Sequence, residues 1–292
     1  MKYLDPLSIA KLKGLHLSPR RLFSTSADSG SRKSPHRGFS RDFLQHRPYV
    51  PGDEIKALDW KAYARLDRFY VREFEAESQF ITHLILDSSK SMAFGSGKQN
   101  SKWDYACHLS LALSYLAIAQ GDTVGLISIS QKMDNEIPPR AAFAHLEFID
   151  SFLSNMTPTG ESFANTALSL AATRIKKRSL VIFITDLMGN VENFIKGISA
   201  LKSGHNAVVV FQVLDPQERD LNFSPPSIFK DMETGDEIAI NNQDFRFFYK
   251  EEFDKQIRLY QSAFHQNEIA HHLFFTDSPL EESLGHFLEK IR

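Results

Sequence analysis

A single cysteine, Cys107, occurs in 292 residues, which rules out an internal disulfide and makes dithiol redox chemistry a poor fit. Cys107 lies within an apolar helical pattern, where a thiol serves as a small core residue. No run reaches the roughly 18 apolar residues of a membrane span. Met1 to Gly14 mixes charge with its apolar residues and lacks the apolar stretch of a signal peptide, so a cytoplasmic location is expected. Neither the phosphate-binding G-x-x-x-x-G-K-[ST] loop nor the H-E-x-x-H zinc motif is present. His145, His205 and the His271-His272 pair show no ligand spacing, and no aromatic RNP motif marks an RNA-binding sheet.

What is there is a hydrophobic content of 42%, enough for a substantial core, and a net charge of only -2. The charge is unevenly spread. Residues 1–50 carry ten Lys or Arg against three Asp or Glu, which leaves the rest of the chain acidic. A basic arm lying on its own acidic body accounts for this at least as well as nucleic acid does. RNA binding through Arg20-Arg21, Arg32-Lys33, Arg37 and Arg41 is therefore kept as a minor alternative, and no nucleic-acid partner is expected.

Along the chain, Pro6 to Leu17 is amphipathic, and Ser24 to Arg37 is rich in Ser, Gly and basic residues with no apolar period, which predicts a mobile loop. Pro51-Gly52-Asp53 is a turn signal, and Arg68 to Glu77 alternates as a strand does. From Phe80 the texture changes. Short apolar runs at Ile81–Leu86, Thr123–Ile129, Leu180–Thr185, Ala207–Leu214 and, more weakly, Ala270–Thr276 read as strands buried on both faces. Helical patterns lie between them at Lys102–Gln120, Phe143–Leu153, Phe163–Lys177 and Val191–Lys202. A small hairpin is predicted over Phe229–Ile240, and helices over Phe245–Phe264 and Leu280–Ile291. Strand and helix alternate, so the expected fold is α/β: a doubly wound, mostly parallel sheet over residues 79–292, preceded by an N-terminal extension over 1–78.

Ligands of open α/β sheets bind beyond the carboxyl ends of strands. The first run ends in Asp87-Ser88-Ser89-Lys90-Ser91, where a loop turning over the strand end aims the Asp87 carboxylate and the Ser89 and Ser91 hydroxyls at one point. The Leu180–Thr185 run leads into Asp186, a second carboxylate from a neighbouring strand. The turn Pro158-Thr159-Gly160-Glu161-Ser162 offers the Ser162 hydroxyl. These are hard oxygen donors of the kind Mg²⁺ takes, with Mn²⁺ or Ca²⁺ as substitutes. D-x-S-x-S alone would arise by chance in about one chain in ten of this length, and the strand before it, helix after it and second strand-end Asp raise its weight. A plainer account makes Asp87, Ser91 and Asp186 local caps.

The D-x-S-x-S loop, the Ser162 turn and Thr185-Asp186 resemble the metal-ion-dependent adhesion site of von Willebrand factor A domains. The resemblance implies that hydroxyls contact the cation directly, that one or both aspartates act directly or through water, and that a protein partner's carboxylate completes the shell. The family's usual threonine in the middle loop is replaced by Ser162, with Thr159 as the alternative donor. Upstream, Arg47-x-Tyr49-x-Pro51-Gly52-Asp53, Leu58-Asp59-Trp60 and Ala64-Arg65, with Gly38 and Phe43 before and Asp87–Met92 after, are similar to the signature of the bacterial family called domain of unknown function 58. That resemblance spans most of the chain and implies an adaptor working beside a MoxR-type AAA+ ATPase in remodelling or maturing other proteins. From the residues alone, Arg47, Asp53, Asp59 and Arg65 suit an internal charge network, with Tyr49 and Trp60 as apolar contacts.

The leading expectation is a non-enzymatic, cation-dependent protein-interaction module, since no nucleophile or general base stands among the strand-end oxygens. A Mg²⁺-dependent phosphatase or other hydrolase is the alternative. It lacks the second aspartate two residues after Asp87 that phosphoaspartyl enzymes use.

Overall fold

The computed structural model describes residues 1–17, 43–51, 53, 58–74, 79–95, 101–130, 133–160, 165–221, 227–230, 237–240 and 244–290. The chain forms two compact units, one of residues 29–79 and one of residues 1–28 with 80–292. The expected loop over 24–37, the basic arm residues and Gly52 lie outside the described residues.

Helix α1 (Pro6–Leu12) starts at Asp5, whose carboxylate accepts from the Ser8 amide at 2.6 Å. Pro6 takes the first helical position, where a missing N–H costs nothing. Tyr3, Leu4, Leu12 and Leu17 are buried in the core of the larger unit, and the Lys2 and Tyr3 amides donate to the Asp150 carboxylate at 2.8 Å. The N-terminal extension expected over 1–78 is thus not one body, because its first residues are part of the larger unit. The amphipathic period of Pro6 to Leu17 shows an apolar face without showing what covers it.

In the smaller unit, β1 (Phe43–Pro48) pairs antiparallel with β2 (Tyr70–Phe74), and helix α2 (Trp60–Leu66) lies between them in sequence. Asp59 caps α2 by accepting from the Lys61 and Ala62 amides, and its other oxygen lies 2.7 Å from His46 Nε2. The Arg47 guanidinium donates twice to Asp53, both at 2.9 Å, which also accepts from the Val50 amide. Of the four charges expected to pair here, Arg47 meets Asp53, Asp59 lies against the His46 ring instead, and Arg65 forms no ion pair among the described residues. Tyr49 packs edge-on to Phe69, while Trp60 meets Tyr63 edge-on and stays more than half exposed.

The larger unit is built on a six-stranded sheet. Its elements in chain order are β3 (Ile81–Asp87), a 3₁₀ turn (Lys90–Ala93), α3 (Lys102–Ala119), β4 (Thr123–Ile129), β5 (Met133–Arg140), α4 (Ala144–Asn155) and α5 (Asn165–Arg174). They continue with β6 (Leu180–Thr185), α6 (Val191–Lys202), β7 (Ala207–Leu214), α7 (Pro216–Asp220), β8 (Ser227–Lys230), β9 (Glu237–Ile240), α8 (Asp244–Gln266), β10 (Ala270–Phe275) and α9 (Leu280–Lys290). The sheet order is β10-β7-β6-β3-β4-β5, parallel except for the antiparallel edge strand β5, and β8 pairs with β9 as a separate hairpin. β5 carries Pro138 and Pro139, which lack the N–H a central strand needs, so an edge is where it fits.

Period-two alternation divides the strands between two apolar faces. Leu84, Leu86, Val209 and Phe211 join one core with α1, α3, α4 and α9, while Ile85, Val181, Phe183 and Val210 join another with α5, α6 and α8. Helix α3 is apolar nearly all round because it is buried; Ser101 and Asp104 close a capping box at its start, and Gly121 (φ +82°) follows its end.

Two predictions arise from this packing. A Cβ at Gly197 of α6 would stand 2.6 Å from Leu168 Cδ1 and 3.0 Å from Leu168 Cβ on α5. Gly197→Ala should lower stability by about 1–3 kcal/mol despite better helix propensity, read as a shifted urea midpoint. His83, on β3, is 3% exposed, and its Nε2 has no partner among the described residues. Burial, then the charge of Lys176, pushes its pKa down to about 4. A base depressed on folding contributes stability above its unfolded pKa of about 6.5 that is lost as pH falls toward 4, at up to about 1.4 kcal/mol per pH unit. Wild type should therefore lose stability more steeply over that window than His83→Leu, and parallel curves would show that His83 is not held neutral.

Candidate functional site

Within the sheet, β3 is followed by β4 on one side while β6 lies on the other, so the crevice between the carboxyl ends of β3 and β6 is the topological switch point. Asp87 ends β3, and Asp186 follows β6. Both are buried.

The loop after β3 is tied down on every side. The Ser88 amide and hydroxyl both donate to the Ile129 carbonyl, at 2.7 and 2.9 Å, which fastens the loop to the end of β4. The Thr159 amide donates to the Ser88 carbonyl at 2.8 Å, and the Lys90 amide to the Gly160 carbonyl at 3.0 Å. The middle turn therefore straddles the D-x-S-x-S loop, and Gly160 (φ +84°) supplies the left-handed bend this needs. Ser162 lies outside the described residues.

Asp87 accepts from the Ser89 amide at 2.9 Å and from the Thr185 hydroxyl at 2.7 Å. Thr185 Oγ1 in turn accepts from the Leu187 amide at 3.1 Å, which directs its proton to Asp87. No ion pair reaches Asp87 among the described residues. Burial, then the charge of Asp186, raises its pKa from the ordinary carboxylate value to about 7. The Ser89 and Ser91 hydroxyls converge to 3.1 Å.

Asp186 is differently placed. The Lys102 ammonium donates to its Oδ2 at 2.7 Å, and the Met188 amide donates to Oδ1 at 3.1 Å. Lys102 also donates to Glu218 on α7. Burial works against the Lys102 charge, but Asp186 and then Glu218 outweigh it and raise its pKa. Glu218 is raised by burial, an effect that Lys102 partly offsets.

The loop after β6 is held from outside by Tyr260 of α8, whose hydroxyl lies 2.8 Å from the carbonyls of both Leu187 and Gly189. Leu187 adopts φ +57°, a left-handed conformation that costs a non-glycine residue about 1 kcal/mol or more. It is also buried.

The five residues expected to hold a cation thus divide. Asp87, Ser89 and Ser91 are brought together, Asp186 lies nearby with its own counter-charge, and Ser162 is not described. Among the described residues no three His, Cys, Asp or Glu side chains gather as a metal cluster, so a cation here would depend on hydroxyl oxygens. One buried carboxylate beside two convergent hydroxyls fits a hard cation, while Asp186 fits only as far as Lys102 leaves it free. Sequence reasoning missed Lys102 and Glu218. The signal was present, since a lysine at the first position of an apolar helix is opposed by both burial and the helix dipole.

The chain is an α/β domain whose doubly wound, mostly parallel sheet carries this hydroxyl-and-carboxylate loop at its switch point. The family model described as protein of unknown function DUF58 matches residues 45–259, and the chain belongs to that family. Uncharacterized proteins of Mycobacterium tuberculosis H37Rv and Mycobacterium bovis are 26% identical over 195 residues, which cover 65% of this chain. The match spans 60% of the length of those curated relatives. Among solved structures, the conserved hypothetical protein BatB from Bacteroides thetaiotaomicron aligns with TM-score 0.47 and 16% identity over 73% of this chain and 98% of that one. An aerotolerance-related membrane protein from Bacteroides fragilis aligns at 0.49 and 17% over 72% and 99%. A von Willebrand factor type A protein from Catenulispora acidiphila aligns at 0.41 and 11% over 74% and 42%. No helix among the described residues of the present chain is long and apolar enough to cross a membrane.

Proposed function

We propose that this chain is a non-enzymatic protein-interaction module that holds one divalent cation through Asp87, Ser89 and Ser91 and presents it to a carboxylate of a protein partner. One asymmetry carries the reading. Of the two buried carboxylates at the switch point, Asp186 has a lysine as counter-charge, whereas Asp87 has only neutral donors among the described residues. A buried carboxylate without a cation is costly, and the hydroxyls beside it are hard oxygen donors. Mg²⁺ suits this set best, and Mn²⁺ or Ca²⁺ share its chemistry. In this reading Ser162 adds a hydroxyl, and the partner carboxylate fills an open position. The family resemblance extends the proposal to an adaptor that works beside a MoxR-type AAA+ ATPase.

The test is a Ser89→Ala/Ser91→Ala double variant. The two hydroxyls bond to each other and the buried Ser89 hydroxyl also serves Asp87, so their loss should lower metal-free stability by about 1 kcal/mol, and each protein's EDTA melt is its own baseline. Wild type should melt higher with excess Mg²⁺ than with EDTA, and the double variant should not. An equal rise in both chains would defeat the reading.

A further inference from the structure

Lys102 stands where an ammonium is least welcome. It is the first residue of α3, at the positive end of a helix dipole, and it is fully buried. Its amide is bonded to the Phe94 carbonyl at 2.8 Å, so the backbone that carries it is anchored beside the D-x-S-x-S loop. Its Nζ lies 2.7 Å from Asp186 and 2.5 Å from Glu218. Glu218 is itself fixed, accepting from the Asp215 amide at 2.8 Å in the capping box of α7, while the Tyr249 hydroxyl donates to its carbonyl at 2.7 Å. Three elements, α3, the end of β6 and α7, thus converge on one positive charge at the rim of the ligand crevice.

A positive charge on Asp186 changes what the crevice can take up. The Oδ2 atom that faces Lys102 is not available to another cation, and Oδ1 already accepts from the Met188 amide. We propose that Lys102 is a tethered cation that occupies the Asp186 half of the site. It confines an exchangeable divalent ion to Asp87, Ser89 and Ser91, and it keeps that ion's affinity low until a partner carboxylate joins. The inference rests on the cation reading above for the second half of the site, and on the Lys102 geometry for the first. It departs from an equal role for the two aspartates: Asp87 serves the exchangeable ion and Asp186 serves the lysine.

The experiment is a Mn²⁺ titration by calorimetry on the full chain, comparing wild type, Lys102→Met, Asp186→Asn and the double variant. Lys102→Met, folded by circular dichroism, should bind at least about tenfold tighter than wild type, because a carboxylate oxygen and one net negative charge are released to the ion. The gain should vanish in the double variant. Asp186→Asn alone should stay within about twofold of wild type, the scatter expected of sites that do not share a ligand. A folded Lys102→Met that binds no tighter overturns the proposal, as does an Asp186→Asn that loses about tenfold or more. So does a Lys102→Met chain that stays unfolded even in about 10 mM Mn²⁺, because a stand-in cation should be replaceable by a real one. Failure of the underlying reading looks different. If wild type binds no Mn²⁺ and Lys102→Met does, the tethered-cation role stands and the native cation site falls. If both are silent, both fall.

Discussion

Asp87→Asn should abolish the response of the protein to divalent cations while making the cation-free protein more stable at pH 8. The two effects have one cause. Asp87 is 1% exposed, and its donors, the Ser89 amide and hydroxyl and the Thr185 hydroxyl, are neutral. Ionising it in that place is costly, which is why burial, then the Asp186 charge, raises its pKa to about 7. A carboxyl raised on folding above its unfolded value of about 3.9 imposes a penalty that develops as pH rises from about 4 to 7 and is complete above 7. Removing the charge should recover about 2–4 kcal/mol at pH 8, less whatever the weaker hydrogen bonds to an amide give back. Near pH 4 the two chains should converge. Urea titrations at both pH values, with EDTA present, check this. A variant less stable than wild type at pH 8 would mean that Asp87 is an ordinary structural carboxylate.

The second large effect concerns the far edge of the sheet. Phe211 of β7 meets Phe287 of α9 at 4.7 Å and Phe274 of β10 at 5.0 Å, both edge-to-face, and it is fully buried. Truncating it empties the junction of two strands and a helix that nothing else fills. Phe211→Ala should cost about 3–5 kcal/mol, whereas Phe211→Leu, which keeps much of the volume, should cost less than half of that. Chemical denaturation reads both. Because the site lies at the strand ends, any Phe211→Ala that remains folded should keep its Mg²⁺-dependent stabilisation. A selective loss of that response would show that the far edge also shapes the site.

How legible each feature was in the sequence follows from its physics. Thr123–Ile129, Leu180–Thr185 and Ala207–Leu214 are strands buried on both faces, so their sequences are unbroken apolar runs and their limits match the structure. β5 was not legible. As an edge strand, Met133–Arg140 is polar and holds two prolines, which read as loop. The small elements β1, α2 and α7 were missed for a similar reason, since each is stabilised by specific contacts rather than by an apolar period. Asp59 caps α2 and Asp215 caps α7, and the pairing of β1 with β2 joins residues far apart in sequence.

In the site, Asp87, Ser89 and Ser91 were legible because they are local to one loop. The partner of Asp186 was not, because Lys102 is 84 residues away and Glu218 is 116 residues beyond Lys102. Pattern alone carries no information about which buried charges meet. It does show a lysine heading an apolar helix, and that local conflict is what the two carboxylates resolve.

In the proposed function Asp87 requires a cation from outside the chain, whereas Asp186 already has one in Lys102. Calorimetric titration of Mg²⁺ into wild type and Asp87→Asn tests it most directly. Wild type should show saturable binding of one ion per chain and Asp87→Asn none; equal binding by both proteins would overturn the proposed site.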